Sequence, residues 1–133
     1  MKTNIATDSL QSQRLLLCGV SADTADMAYA TDCNVLLTAP YSEMRDRFNE
    51  KDCSPAWSLS ALLGLLPFKI IGGNNEFWLD VAPMDYGKQW SIGYYCTEKP
   101  RVIKGLTHTE SLIECAVQEI EWLTENNYKL NEQ

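Results

Sequence analysis

The sequence predicts a single α+β domain over residues 1–133, in which an antiparallel sheet of three or four strands packs with two or three helices, similar to a helix–sheet sandwich. Helical patterns near both ends, alternating strands over residues 68–106 and short connections between those strands lead to this prediction. A 133-residue chain with 45% hydrophobic and 22% charged residues is typical of one folded domain. Residues 1–53 form a helix, turn and strand segment, and residues 54–130 form a helix, a strand meander and a C-terminal helix.

The first helix is predicted from its end signals. Asp8 is a suitable N-cap, and Gln11 stands three residues later, as in a capping box. Gly19 suits the left-handed position that follows a helix. Three consecutive leucines precede that glycine and provide the apolar contacts. The helix is therefore expected to begin after Asp8 and to end before Gly19.

The next segment is predicted to be short and irregular. Ser21 or Asp23 begins a turn or a single-turn helix that carries Met27 and Tyr29. A short strand follows over residues 32–40, where the sequence DCNVLLTAP ends in a proline.

The most apolar segment lies between two prolines. Residues 41–52 before it are expected to be a short exposed helix or a loop. Ser54 can cap a helix that begins at Pro55, and Pro67 ends that helix after about twelve residues. A membrane-spanning helix needs about 20 residues, so a core helix is predicted instead. Its buried face is predicted from four leucines at helical spacing: Leu59, Leu62, Leu63 and Leu66.

Two segments after the second proline alternate as strands and are predicted to form an antiparallel meander: EFWLDVA (76–82) and WSIGYYC (90–96). FKII (68–71) can also form a strand, and RVIKGL (101–106) could be a third strand of the meander. GGNN and MDYGKQ provide the turns between them. Trp78 is predicted to face away from the side of its strand that carries three apolar residues: Phe77, Leu79 and Val81. Whether Trp78 is then partly exposed or covered by the N-terminal third of the chain stays open.

The last helix has the clearest pattern. Thr107 and Glu110 are spaced as a capping box, with Thr109 as a competing cap. Asn126 and Asn127 suit its end. One broad stripe of the helix is apolar: Leu112, Ile113, Ala116, Val117, Ile120 and Leu123.

Charge and cysteine usage limit the possible partners and compartment. The net charge of −7 opposes direct binding to nucleic acid. The N-terminal sequence lacks the apolar core of a signal peptide, so a cytoplasmic protein without a membrane segment is expected. The five cysteines have no CxxC spacing and are predicted to be free thiols: Cys18, Cys33, Cys53, Cys96 and Cys115.

No catalytic, cofactor or metal site is predicted. His108 is expected at the start of the last helix, without a nucleophile tied to it by a motif. Carboxylate pairs such as Glu110 with Glu114 are typical of the solvated face of an amphipathic helix. If the protein were an enzyme, Glu110, Glu114 and Cys96 would be the candidates.

Four segments resemble a family of small proteins from phages, prophages and mobile elements of gut bacteria. The family pattern combines a QS..LL helix, a G....TADM turn, a PxWSLxALLxLLP helix and a C-terminal AVxxIxWL helix. The resemblance implies a compact α+β fold and no particular activity, cofactor or catalytic residue. The matching residues are 11–17, Gly19 with 24–27, 55–67 and 116–123.

The leading functional hypothesis is a non-catalytic accessory protein of phage or mobile-element type that binds another protein. The alternative is an antitoxin-like regulator that neutralises a toxin or associates with nucleic acid, and an unrecognised enzyme is the third. A homodimer is compatible with the sequence. Asp23 and Asp26 could instead merely cap a short helix. The hypothetical binding surface combines a turn with exposed aromatic groups: Asp23, Asp26, Met27, Tyr29, Trp78 and Tyr95.

Overall fold

The computed structural model describes residues 5–30, 35–47, 52–96 and 102–131. Within these ranges the chain has four α-helices and two antiparallel sheets, which confirms the α+β prediction. The sequence had predicted one sheet and at most three helices. The additional sheet is built from the N-terminal segment, where only one strand was expected.

The helices are α1 (Ser9–Leu17), α2 (Tyr41–Arg47), α3 (Leu59–Leu65) and α4 (Leu112–Glu125). The strands are β1 (Met27–Ala30), β2 (Val35–Leu37), β3 (Cys53–Ala56), β4 (Lys69–Gly72), β5 (Asn75–Met84), β6 (Gln89–Cys96) and β7 (Ile103–Thr109). The smaller sheet has the strand order β2-β1-β3, and the larger sheet has the order β4-β5-β6-β7. The larger sheet is therefore the predicted meander.

Helix α1 begins and ends as predicted. The Asp8 carboxylate accepts a hydrogen bond from the Gln11 N–H at 2.8 Å, and the Gln11 side chain accepts one from the Asp8 N–H at 3.0 Å. Gly19 has a φ of 89°, a conformation that favours glycine. Local chemistry alone decides both ends of this helix.

The predicted short turn after Ser21 is present, but it does not carry Met27 and Tyr29. Ser21 caps a 3₁₀ turn over Ala22–Thr24, and the chain then enters the central strand of the smaller sheet. Met27 pairs with Ala56, and Tyr29 pairs with Ser54. Pairing on both sides of β1 outweighs its weak local preference. The predicted strand at 32–40 is β2 from Val35, and residues 31–34 lie outside the described part.

The predicted helix start at Ser54 and Pro55 was also wrong. Pro55 lies in β3, an outer strand of its sheet, where a residue without an N–H is tolerated. Helix α3 starts after Ser58, whose hydroxyl accepts the Ala61 N–H at 3.1 Å. The burial of the four predicted leucines is uneven. Leu62 and Leu66 are buried, whereas Leu59 and Leu63 are half-buried and pack against the core.

The predicted capping box at Thr107 and Glu110 was wrong as well. Thr107, His108 and Thr109 belong to β7, where Thr107 pairs with Ile92 of β6. Ser111 caps α4 instead, because its hydroxyl accepts the Glu114 N–H at 3.2 Å. Pairing with the long strand β6 thus places in a strand the residues that the local pattern assigned to a helix start.

Helix α4 covers one side of the larger sheet, which we call the inner face. It packs against β6 and β7 and also contacts α1 and α3. Among the residues that the structure describes, no helix has both the length and the apolarity required to cross a membrane. The main buried cluster takes most of its large side chains from α1, α3, β6 and α4: Leu15, Leu62, Ile92, Tyr94, Val117, Ile120 and Leu123.

Candidate functional site

The two most distinctive sequence segments meet at a joint between the 3₁₀ turn and α3. Thr24 accepts a hydrogen bond from Trp57 Nε1 at 2.9 Å. Asp26 Oδ1 accepts the Ser58 N–H at 2.8 Å, and Asp26 Oδ2 accepts the Ser58 hydroxyl. We call these four residues the turn–α3 joint. Its polar groups are used inside the chain, which supports the capping alternative for Asp26.

The other candidates near this joint are also engaged. Asp23 is exposed and forms an ion pair with Arg45 at 2.8 Å. Met27 is buried, so it offers no apolar edge to a partner. Tyr29 is half-buried in the central strand, and burial raises the pKa of its hydroxyl, with a smaller effect from the charge of Asp8. Of the turn residues, Asp23 offers the most accessible group.

Trp78 and Tyr95 are direct neighbours on the larger sheet. They belong to a different sheet from the turn residues, so the six candidates form two separate groups. Trp78 points away from the helix-covered side, as the alternation predicted, and is 40% exposed. Tyr95 is half-buried.

These two aromatic residues lie on the side of the larger sheet opposite α4, which we call the outer face. Strand register places one exposed apolar residue of β4 and one of β7 on it, Ile71 and Ile103. Leu106, at the irregularity in β7, lies over the backbone of Gly93. The outer face therefore carries exposed apolar side chains on β4, β5 and β7.

The charges on the outer face are few. Lys69 and Glu76 form an ion pair at 3.4 Å, and the Lys69 ammonium lies 5.5 Å from the Trp78 ring centre. Asp80 is exposed, and no described residue forms an ion pair or hydrogen bond with its carboxylate. Among the described residues, Asp80 is consequently an unneutralised charge of this face.

The hairpin between β5 and β6 presents a fully exposed aromatic ring. Tyr86 is fully exposed at the tip and has a φ of 56°, next to Asp85 with a φ of 50°. Left-handed backbone is unusual for a bulky residue. Opposite Leu79, near the middle of β5, Phe68 is 68% exposed and its ring lies 5.8 Å from that of Trp78.

A buried carboxyl group lies on the opposite, inner face. Glu119 is completely buried, and its Oε2 accepts a hydrogen bond from the Thr107 hydroxyl at 3.1 Å. Its Oε1 has no hydrogen-bond partner among the described residues. Burial raises the pKa of Glu119 to about 8, although the Thr107 hydrogen bond acts in the opposite direction. A carboxyl group sealed from solvent in this way cannot meet a substrate.

Gly105 closes the space above this carboxyl group. A Cβ atom at this position would lie 2.7 Å from Glu119 Oε1 and 2.5 Å from the Trp122 ring. Its φ of 61° also favours glycine. The backbone of β7 therefore fills the space that a ligand would need, which gives the Glu119 cluster a structural role.

An ionic cluster joins α1 to α4. Arg14 contacts Glu114 at 2.7 Å and also forms an ion pair with Glu121. The hydrogen bonds that Arg14 donates to Glu121 and then to Glu114 raise its pKa. Burial acts to raise the pKa of Glu114, but hydrogen bonds from Arg14, Gln11 and Gln118 outweigh it and lower that pKa. The helix-face carboxylates that the sequence predicted to be solvated are in part tied to α1.

The possible catalytic residues are dispersed. Cys96 is buried and Glu110 is exposed, while Glu114 is held by Arg14. Burial is the main cause that raises the pKa of the Cys115 thiol, so this cysteine is a poor nucleophile. The four described cysteines are free, and Cys33 lies outside the described residues. Across the described ranges no cluster of three or more His, Cys, Asp or Glu could hold a metal.

Several residues of the outer face were missed by the sequence reasoning. Ile71 and Ile103 lie in short segments with weak alternation, so the sequence did not indicate which side of the sheet they face. Tyr86 had a turn signal but no sign of its full exposure. The alternation in β5 was the one useful signal: it correctly placed Trp78 opposite Phe77, but it left open whether Trp78 is core or surface.

The chain was also compared with known proteins. No family model matches it, and neither a curated protein nor a solved structure matches.

Proposed function

We propose that this chain is a non-catalytic accessory protein of phage or mobile-element type that acts by binding another protein through its outer face. The observation that carries the proposal is that helix α4 packs on the inner face while apolar side chains stay exposed on the outer one. Ile71 is 62% exposed, and Ile103 and Leu106 are 42% and 48% exposed. Exposed apolar side chains grouped on one surface are typical of interaction sites.

The dimensions of the outer face are compatible with a modest interface. Ten residues of β5 extend about 33 Å, and four strands span roughly 15 Å from the first to the last axis. A standard complex uses about 800 Å² on each partner. The outer face is smaller than this, so it fits a transient complex, or one that also uses the hairpin tip at Tyr86.

The charges of the face favour a protein over a nucleic acid. Lys69 is neutralised by Glu76, and Asp80 adds a negative charge. Binding of nucleic acid gains most of its affinity when basic side chains displace counterions from phosphates. An apolar face with a carboxylate, on a chain of net charge −7, offers little of that contribution.

A matched pair of double variants tests the proposal. Ile71→Gln with Ile103→Gln removes two apolar side chains from the outer face. The control, Leu10→Gln with Leu17→Gln, makes the same change on α1, where both leucines are more than 70% exposed. Each tagged protein is used to capture partners from a bacterial host lysate, with and without nuclease treatment, and the captured proteins are quantified by mass spectrometry.

A protein captured by the wild type and by the α1 control, but depleted about tenfold with the outer-face variant, supports the proposal. Three outcomes contradict it: loss only in the α1 control, equal capture by all three proteins, or capture that disappears when the lysate is treated with nuclease. Circular dichroism must show that both variants keep the wild-type fold.

A further inference from the structure

Strand β5 has an open edge beside the outer face. Strand β4 pairs with β5 from Asn75 to Trp78, and the Leu79 N–H then donates to the Phe68 carbonyl at 2.9 Å. Beyond Leu79, β5 continues to Met84 with only β6 paired to it in the described structure. We call residues 80–84 on this side the β5 edge.

The strand alternation determines which backbone groups lie at this edge. The N–H and C=O of one residue in an antiparallel strand point to the same neighbour, and the next residue points to the other side. Because Leu79 points toward β4, Val81 and Pro83 point to the open side. Val81 then offers an N–H and a C=O there, while Pro83 offers only a C=O.

The side chains around the β5 edge give it a chemical character. Exposed Phe68 and Trp78 are in ring contact at the β4 end, and exposed Met84 precedes Tyr86 at the hairpin tip. Asp80 lies between these two ends, and it has no ion-pair partner among the described residues. An incoming strand would thus find apolar contacts at each end and a carboxylate between them.

We infer that the β5 edge accepts an extended segment of a partner protein, which adds a strand beside Val81 and places a lysine or arginine against Asp80. This inference rests on the proposed protein-binding function and narrows it to one edge and one partner chemistry. The main-chain groups of Val81 and Pro83 form hydrogen bonds with the added strand. The Asp80 carboxylate favours a partner segment that carries a basic side chain.

A second copy of the chain fits this edge poorly. Two β5 edges paired antiparallel about Val81 would place Pro83 of one copy opposite Leu79 of the other. Pro83 has no N–H, and the Leu79 N–H is already bonded to Phe68. Pairing would be confined to Val81, and the two Asp80 carboxylates would lie about 7–8 Å apart as diagonal neighbours. With a net charge of −7 on each copy, repulsion opposes this dimer.

The test uses a phage-displayed library of random twelve-residue peptides as the probe. After selection on the wild-type protein, enriched peptides are synthesised and their dissociation constants are measured with four variants. Val81→Pro removes the edge N–H, and its control Val81→Ala keeps that N–H while shortening the side chain. Asp80→Lys reverses the selecting charge, and its control Asp46→Lys reverses an exposed carboxylate on α2, away from the larger sheet.

The inference predicts enriched peptides that contain lysine or arginine among apolar residues. Their binding should weaken about tenfold or more with Val81→Pro and with Asp80→Lys, and change less than about threefold with the two controls. The selected peptides should bind the Ile71→Gln, Ile103→Gln variant less tightly only if the segment also crosses the outer face.

Four results would overturn the inference. They are no enrichment, enriched peptides without basic residues, equal binding by Val81→Pro and Val81→Ala, or a wild-type dimer in sedimentation that Val81→Pro converts to monomer. Peptides that depend on Ile71 and Ile103 but tolerate Val81→Pro would reject the added strand and leave the proposed function intact. If peptides lose binding to Val81→Pro while capture from lysate is unchanged in the outer-face variant, the added strand is supported and the outer face is rejected as the binding surface.

Discussion

In two places of this chain a tryptophan lies close to an aspartate, and the surroundings of these two pairs are opposite. In the turn–α3 joint, Trp57 is completely buried with its indole N–H bonded to Thr24, and Asp26 is bonded twice to Ser58. On the outer face, Trp78 is 40% exposed and Asp80 has no hydrogen bond or ion pair within the described chain. The same residue types therefore hold the fold together in one region and remain available in the other.

This difference shows why residue type alone is a weak guide to function. A carboxylate whose hydrogen bonds are satisfied inside the chain stabilises a helix start. A carboxylate without them leaves its hydrogen-bonding capacity for a partner. The following predictions test whether the two regions really differ in this way, beginning with the largest expected effect.

The largest effect is expected for the two tryptophans. Trp57→Ala should lower the free energy of unfolding by about 3–5 kcal/mol, because it creates a cavity in the core and removes the bond to Thr24. Trp78→Ala should lower it by less than about 1 kcal/mol, because this ring is partly in solvent. Urea denaturation measures both values. Similar losses for the two variants would contradict the assignment of Trp57 to the joint and Trp78 to a free surface.

For the buried Glu119, the effect of burial without full hydrogen bonding can be measured as a pH dependence of the free energy of unfolding. Its pKa is about 8 in the folded chain, against an ordinary value of 4.5. Between these two values the folded state binds more protons than the unfolded state, so stability falls as pH rises. The Glu119 contribution is present below about pH 4.5 and is lost as pH rises to about 8, with a slope of up to ~1.4 kcal/mol per pH unit.

Glu119→Gln keeps a neutral side chain of the same shape and should remove this slope. Between pH 6 and pH 8 the wild type should lose about 2 kcal/mol more than the variant, measured by denaturation at each pH. Glu110→Gln, which changes an exposed carboxylate just before α4, serves as the control and should follow the wild type. Parallel curves for wild type and Glu119→Gln would show that this carboxyl group is already ionised in the fold.

A smaller difference is expected between the two aspartates. Asp26→Ala should cost about 1–2 kcal/mol, because the Ser58 N–H and hydroxyl lose their acceptor at the start of α3. Asp80→Ala should change stability by less than about 0.5 kcal/mol. Thermal unfolding of both variants provides the comparison. An equal or greater loss with Asp80→Ala would mean that its carboxylate has an internal role.

The smallest effect concerns the ion pairs. Arg14→Gln should lower the free energy of unfolding by no more than about 1 kcal/mol, since all three residues of this cluster are partly exposed. Arg45→Gln, which removes the more exposed pair with Asp23, should cost less still. Stability measured at low and high salt distinguishes them, and a loss above about 2 kcal/mol for Arg14→Gln would make the cluster a core element.

The sequence was informative where a few adjacent residues decide the outcome. The capping box of α1, Gly19 after it, and the alternation that separates Trp78 from Phe77 all depend on chemistry within a few residues. The errors came where pairing with another strand competes with local signals. Pro55 and Thr107 both have good helix-start patterns, yet Pro55 is paired into a sheet by β1 and Thr107 by the preceding strand β6.

The sequence by itself determined the α+β class, the hydrophobic pattern of α4 and the acidic charge that disfavours nucleic acid, because composition and periodicity carry this information. Only the tertiary structure decided that Asp26 is used internally, that Glu119 is buried, and that, within the part of the chain that the structure describes, Asp80 has no partner and β5 extends past β4 to leave an open edge. These outcomes depend on strand register and on which face a helix covers. Both are settled by contacts between residues far apart in the chain, which local patterns do not encode.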